Sequence, residues 1–334
     1  MAKKKSTRRR SRLVLGVAAM LASVVACATN AAESSPSVFP SKPIRWIDPF
    51  PAGGASDILA RMVAQKMTET WKQAVIVDNR GGASGMIGVD IIAKAAPDGY
   101  TIGDITATLS VNPSVNKHPP YNLLKDLAPV IQLSRQPYML VAYPGVAANN
   151  VQQLIALAKS RPGQINYGSS GVGGLSHLTG ALLSVLAGVD MVNVPYKGGA
   201  PALAGVLSGE IQLLFATVLS SQPHVKAGRL KWLAVSSEKR FRLLPDIPSV
   251  AESIPGFDVT GWYGVVAPDR TPNHIITQLN KEIARILEMA EIKERMINGG
   301  IEPVGSTPEA FWTHVGHEVE KWRKVVKAIG LKSE

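Results

Sequence analysis

The sequence predicts an α/β protein with an open, parallel-stranded sheet divided between two lobes. Three observations carry that prediction. Short β-rich apolar runs alternate with helical periodicity along most of the chain, which is the pattern of a parallel sheet flanked by helices. Glycine-rich turns follow the strands and open the helices. Two long strand-like segments, "PVIQLSRQPYMLVAYP" (129–144) and "DVTGWYGVVAP" (258–268), flank the middle of the chain and read as the crossings between lobes.

The first 32 residues read as an export signal rather than as fold. "MAKKKSTRRRSR" is basic and holds no acid, an apolar run extends from Leu13 to Ala28, and small residues follow. This is the order of a secretory signal peptide. The apolar run is short against the roughly 20 residues of a membrane span, which leaves a retained anchor as the alternative. Cys27, the sole cysteine, lies here in a "VVAC" context similar to a lipobox. Lipidation of Cys27 competes with ordinary cleavage after Ala28 or Ala32. In either case the exported domain has no disulfide, cysteine nucleophile or cysteine-based metal site.

Strand and helix then alternate. "IRWIDPF" (44–50) precedes a helix whose Ile58, Leu59, Met62, Val63 and Met67 recur at helical spacing. "AVIVDNR" (74–80) is the next strand, followed by the turn "GGASGMIG" and a small-residue helix through "VDIIAKAA". Pro97-Asp98-Gly99 is a strong turn, and "YTIGDI" reads as the third strand. The middle repeats the scheme. "VQQLIALAKSRPG" is a helix stopped at Pro162-Gly163. "INYGSSGVGGLSHLTGALLSVLAG" and "MVNVPYKGGAPALAGVLSG" each read as strand, loop and helix, and "IQLLFATVLSSQPHVKAGR" and "LKWLAVSS" continue it. The tail is helical: one helix from the Thr271-Pro272 start to Gly299-Gly300, the short strand "IEPVG", and an amphipathic closing helix from Thr307. The expected organisation is a signal peptide at 1–32, the first part of lobe one at 33–140, lobe two at 141–258, and a crossing strand with C-terminal helices returning to lobe one at 259–334.

Charge excludes a class. The formal +11 includes seven basic residues before Glu33, which leaves a mild +4 for the remainder. No basic stripe follows residue 33, so nucleic-acid binding lacks its electrostatic footprint.

Four loops carry the chemistry: Phe50–Ser56, Gly81–Gly85, Gly168–Ser176 and Tyr196–Pro201. Each follows a predicted strand and opens a predicted helix. Ligands of open α/β sheets sit outside the carboxyl ends of the strands. A helix start offers unpaired N–H donors and the positive end of the helix dipole, and binds anions without a lysine or arginine. Enzyme templates are missing. "GSSGVGG" lacks the dinucleotide order, there is no G-K-[ST] phosphate loop, and "YGSSGVG" is not a nucleophile elbow. The six histidines (His118, His177, His224, His274, His314 and His317) show no metal spacing with a carboxylate partner. His314 and His317 read as a solvated helix face. Three side chains keep two readings each. His177 either contacts a ligand or braces its loop. Asp57 either caps its helix or meets a ligand ammonium group. Lys197 either neutralises a ligand carboxylate or makes a surface ion pair.

Taken in order, "DPFPAGGASDILAR", "VDNRGGASGMIG", "APDGYTI", "VNPSV", "YGSSGVGGLSHLTG", "VPYKGGAPALAGVLSGEIQLLF", "KAGRLKWLAVSS" and "GWYGVVAPDRTP" resemble the extracytoplasmic solute receptors of tripartite tricarboxylate transporters, the Bug family, over residues 40 to 330. The resemblance implies a type II-like periplasmic binding protein fold with a ligand cleft between lobes that close on binding. It implies a small carboxylate as ligand, integral membrane transport subunits as partners, a monomer in the periplasm, no cofactor and no catalysis. Carried over by motif, the implied binding residues are Phe50, Ala52, Gly53, Gly54, Ser56 and Asp57 in the first loop and Asn79, Ala83, Ser84 and Gly85 in the second. Thr106 and Thr108 lie before "VNP"; Ser169, Ser170, Ser176 and His177 belong to the third loop, and Tyr196, Lys197 and Gly198 to the fourth. The chain departs from the family pattern at Gly174, Ala181 and Ala216, and at Asp104, which is acidic where an apolar or small residue is expected. Facing the cleft, Asp104 would disfavour a second carboxylate and favour an ammonium or hydroxyl group. A ligand sensor serving a signalling partner is the alternative function.

Overall fold

The computed structural model describes residues 39–328 and 330. The signal-peptide and Cys27 expectations lie outside these residues. The architecture below is that of the compact unit that begins at Lys42. Among the described residues, no helix is long and apolar enough to cross a membrane.

Every strand expected from the sequence forms. The strands are β1 (Ile44–Asp48), β2 (Val75–Asn79), β3 (Thr101–Thr106), β4 (Leu127–Ala142), β5 (Ile165–Ser169), β6 (Met191–Pro195), β7 (Leu213–Thr217), β8 (Lys231–Val235), β9 (Thr260–Pro268) and β10 (Glu302–Pro303). They make a ten-stranded sheet of order β2-β1-β3-β9-β4-β7-β5-β6, with β8 and β10 also paired to β4. β1, β2 and β3 are mutually parallel, as are β5, β6 and β7. The antiparallel strands β9 and β4 separate these two groups.

The crossing expected at 129–144 is one 16-residue strand, β4. Its residues up to Pro137 pair with β9, and its residues from Tyr138 onward pair with β7 and β8. One strand therefore belongs to both parallel groups.

The helices are α1 (Ala55–Trp71), α2 (Met86–Ala93), α3 (Ala107–Val115), α4 (Val151–Ser160), α5 (Leu175–Ala187), α6 (Gly199–Ser208), α7 (Val218–Lys226), α8 (Asn273–Leu287), α9 (Ala290–Asn298) and α10 (Pro308–Ala328). Two differ from expectation. The tail helix expected over 271–300 is broken at Met289, whose extended ψ of 133° starts α9 afresh. The break lets Ile292 and Met296 bury on a line separate from the Ile275–Leu287 stripe of α8. α3 carries no start signal in the sequence and contains Pro113. It forms because burial of Leu109, Val111 and Val115 and packing against α10 outweigh the lost backbone donor.

Candidate functional site

Strand register brings the two parallel groups face to face. β3 ends at Thr106, which pairs with Tyr263, and Tyr263 pairs with Ser134 of β4. β7 ends at Thr217, which pairs with Tyr138 of the same strand. The carboxyl ends of the two groups are thus separated along β4 by Arg135, Gln136 and Pro137, roughly 13 Å at strand rise. Helix starts follow those ends on both sides. α1 and α3 open after β1 and β3; α5, α6 and α7 open after β5, β6 and β7.

The first loop is built by carboxylates that face inward. Asp48, fully buried at the end of β1, accepts hydrogen bonds from Phe50 N–H (3.0 Å), Ser56 Oγ (3.1 Å) and Asn79 Nδ2 (3.2 Å). Asp57 accepts from Gly53 N–H (2.9 Å) and Asn79 Nδ2 (3.0 Å) and pairs with Arg61 (2.9 Å). Asn79 also donates to Phe50 O and accepts from Arg61. Three predicted residues, Ser56, Asp57 and Asn79, therefore brace the loop. The first bond of α1 runs from Ile58 N–H to Gly54 O, which leaves the Ala55, Ser56 and Asp57 N–H groups directed out of the helix end. Ala52 and Gly53 are exposed at the loop tip, and Gly53 takes a left-handed φ of 83°.

Burial pushes the Asp57 carboxyl up, but Arg61, the Gly53 N–H and Asn79 outweigh it and hold it below its ordinary value. Its stabilising contribution is therefore complete at neutral pH and is lost as acid protonates it, below the usual carboxylate range. Asp57→Ala should cost about 1–3 kcal/mol near pH 7 by orphaning these donors. In paired melts, the gap between wild type and variant should shrink towards pH 3. A gap independent of pH would show that the carboxylate charge contributes nothing.

The second loop is strained. Ala83 and Ser84 take left-handed φ values of 47° and 53°, which non-glycine residues adopt only where their surroundings enforce it. The Phe50 ring packs beside Gly85. Ser84 Oγ reaches Val172 O, 3.5 Å away in the third loop. Nearby, Val115 at the end of α3 abuts Gly173. The two halves thus touch across the gap at Ser84–Val172 and Val115–Gly173. Thr106, just before α3, has a buried hydroxyl without a partner among the described residues, and Thr108 is half-buried on the first turn.

The third loop is braced from within. Ser176 Oγ accepts from Ser170 N–H (2.9 Å) and lies 3.1 Å from Ser170 Oγ, while Ser169 Oγ donates to Gly171 O. His177 Nδ1 accepts from Gly173 N–H at 3.1 Å, and its ring stacks on Tyr167. Burial lowers the His177 pKa, consistent with a neutral ring whose Nδ1 stays an acceptor. The bracing reading of His177 is the one its geometry supports. The first bond of α5, Leu178 N–H to Gly174 O, leaves the Leu175, Ser176 and His177 N–H groups at the helix start. In the fourth loop, Tyr196 lays its ring on α6 beside Gly205, Lys197 is exposed, and Gly198 caps α6.

Several neighbours of the site were not singled out from the sequence. Thr217 caps α7 through Ser220 N–H (3.2 Å), and Tyr138 and Tyr263 come close through strand pairing alone. Asp48 had a readable signal: an acid at the inward period of an apolar strand. Asp104 is 1 % exposed and lies beside Asp48. His314 corrects an expectation. His317 is exposed, but His314 packs edge-on against Trp262 at 5.4 Å. Among the described residues, no cluster of three or more His, Cys, Asp or Glu side chains is arranged to hold a metal.

Residues 59–331 match the family described as "Tripartite tricarboxylate transporter family receptor". BugT of Bordetella pertussis is 34% identical over 317 residues, covering 94% of this chain and 97% of that protein. Among solved structures, Rpa4515 of R. palustris with adipate superposes with a TM-score of 0.85 at 34% identity, covering 89% of this chain and all of that one. MatC (Rpa3494) of Rhodopseudomonas palustris with bound malate gives 0.80 at 28% identity, covering 86% of this chain and all of that one. The α/β fold with crossing strands is therefore that of periplasmic binding proteins, and the chain belongs to the tripartite tricarboxylate transporter receptor family, whose members are solute receptors rather than enzymes.

Proposed function

We propose that this protein captures a small carboxylate, a dicarboxylate best of all, between its two halves and delivers it to integral membrane transport subunits. One observation carries the reading: helix starts follow the strand ends on both sides of the Arg135–Pro137 stretch of β4. N–H donors on both sides suit a ligand with an anionic group at each end. The span of roughly 13 Å accommodates a short dicarboxylate and a hydrogen bond at either end. Rpa4515 holds adipate and MatC holds malate, which supports the same ligand class here.

Lobe one comprises 33–140 with 259–334, lobe two 141–258, and the hinge lies where β4 changes partners at Tyr138. The working protein is a periplasmic monomer that needs no cofactor and makes or breaks no bond. The backbone N–H groups at the starts of α1 and α5 receive the ligand, and Asp57, Asn79, Ser176 and His177 hold those loops in shape. Adipate or malate should raise the melting temperature through binding to the folded state, and should reduce the radius of gyration in small-angle scattering as the lobes close. No thermal shift with any mono-, di- or tricarboxylate would overturn the ligand class. A radius unchanged at saturation would overturn closure.

A further inference from the structure

Asp48 and Asp104 form a buried acid pair under the first loop. β1 and β3 run parallel with Ile47 opposite Gly103, so the next residues, Asp48 and Asp104, are neighbours on one face of the sheet. Asp48 is 0 % exposed and Asp104 1 %. They differ in their partners. Asp48 holds Phe50 N–H, Ser56 and Asn79. Neither oxygen of Asp104 has a hydrogen-bond partner among the described residues, and the same is true of the buried Trp46 Nε1 and Thr106 Oγ1 on the same face. Trp46 comes near enough to ease ionisation of Asp104 slightly but falls short of a hydrogen bond.

An unpartnered buried carboxylate is too costly to keep charged and stays protonated instead. Burial first, then the neighbouring Asp48, pushes Asp104 well above the carboxylate range. Burial also raises Asp48, to about 7, against the lowering effect of Phe50 N–H and Ser56. α1 contributes Asp57 and Arg61, which are paired with each other. β9 contributes the Tyr263 phenol and β4 the Tyr138 phenol, both raised by burial and neutral. β2 contributes the neutral Asn79. On α8, Arg285 pairs with Glu282 and bonds Thr70 at the far end of α1.

We propose that Asp48 is the positioning residue of the first binding loop, and that carboxylate capture on that loop draws one proton from solvent onto the Asp48–Asp104 pair. The inference rests on the carboxylate reading above. An ionised Asp48 bonds Phe50 N–H and Ser56 of the loop assigned to the ligand, so a second negative charge on that loop favours its protonation. Once protonated, its carbonyl oxygen still accepts Phe50 N–H, and the loop keeps its shape while the repulsion is removed. Asp104 stays protonated throughout, so the pair exchanges a single proton as a unit.

The test is calorimetric titration of the protein with adipate and with malate, in buffers of different ionisation enthalpy. Between pH 8.5 and 6.5, where the ligand carboxyls remain ionised, affinity should rise about fivefold, with uptake of up to one proton per ligand near pH 7.5. Asp48→Asn should lose both the proton uptake and the pH dependence of whatever affinity it keeps. Infrared spectra of the ligand-free protein at pH 8.5 should show a protonated carboxyl band that Asp104→Leu removes. Binding with buffer-independent heats and a flat pH profile overturns the inference alone, and the wild-type heats decide this without a variant. A spectrum with no protonated carboxyl at pH 8.5 overturns the pair's assignment. If adipate and malate both fail to bind, the titration is run with the carboxylate that raises the melting temperature; failure of every mono-, di- and tricarboxylate at every pH overturns the carboxylate reading, and this inference with it.

Discussion

Gly173→Val is expected to weaken dicarboxylate binding roughly 100-fold, the equivalent of about 2.7 kcal/mol, while leaving the folded structure in place. Gly173 takes a φ of 72°, and a Cβ built there would lie 3.0 Å from Val115 Cγ2. Val115 ends α3 on one side of the gap, and Gly173 precedes α5 on the other. A branched side chain at Gly173 therefore acts as a wedge between the halves and adds backbone strain. In the proposed closure, affinity scales with the population of the closed arrangement, so a wedge acts on binding more than on the fold. Val115→Ala in the same background removes the contact but not the strain and should restore part of the lost affinity. Calorimetry gives the affinity and scattering gives the compaction. If Gly173→Val binds as wild type and still compacts, the Val115–Gly173 contact has no part in closure.

Phe311→Ala should produce the largest loss of stability, about 3–5 kcal/mol for a fully buried phenylalanine. Phe311 lies on α10, is 0 % exposed and meets Trp262 of β9 edge-on at 5.7 Å. It fills the space above Gly264, where an added Cβ would come within 2.1 Å of its ring. α10 packs on both β4 and α3, and the cavity left by Phe311 opens against Trp262 and Gly264 of the crossing strand β9. Denaturant unfolding measures the loss. A cost under 1 kcal/mol would mean that α10 relaxes freely and does not clamp the crossing strands.

The elements were readable because their signals are local. Apolar periodicity and glycine turns mark β1, α1 and β5 without reference to distant residues. α3 was not readable, because Pro113 and a weak pattern argue against a helix that only packing against α10 makes favourable. The break at Met289 was hidden for the same kind of reason. The helical pattern continues through it, and only the separate burial of Ile292 and Met296 requires the turn.

The glycine loops that open helices, the lack of catalytic templates and the family all follow from residue order alone. Glycine, small residues and helix starts act on the backbone next to them. The roles of individual side chains depended on the folded chain. Ser56, Asp57, Asn79, Ser176 and His177 carry the hydrogen-bonding groups that would suit a ligand, yet Ser56, Asp57, Ser176 and His177 bond within their own loops and Asn79 bonds across to the first loop. Asp104 lies 56 residues from Asp48 in the chain, and parallel strand pairing alone makes them neighbours. Local chemistry sets what a backbone segment offers. Strand register, which depends on pairing between distant segments, sets which side chains remain available to a ligand and which buried acids must share a proton.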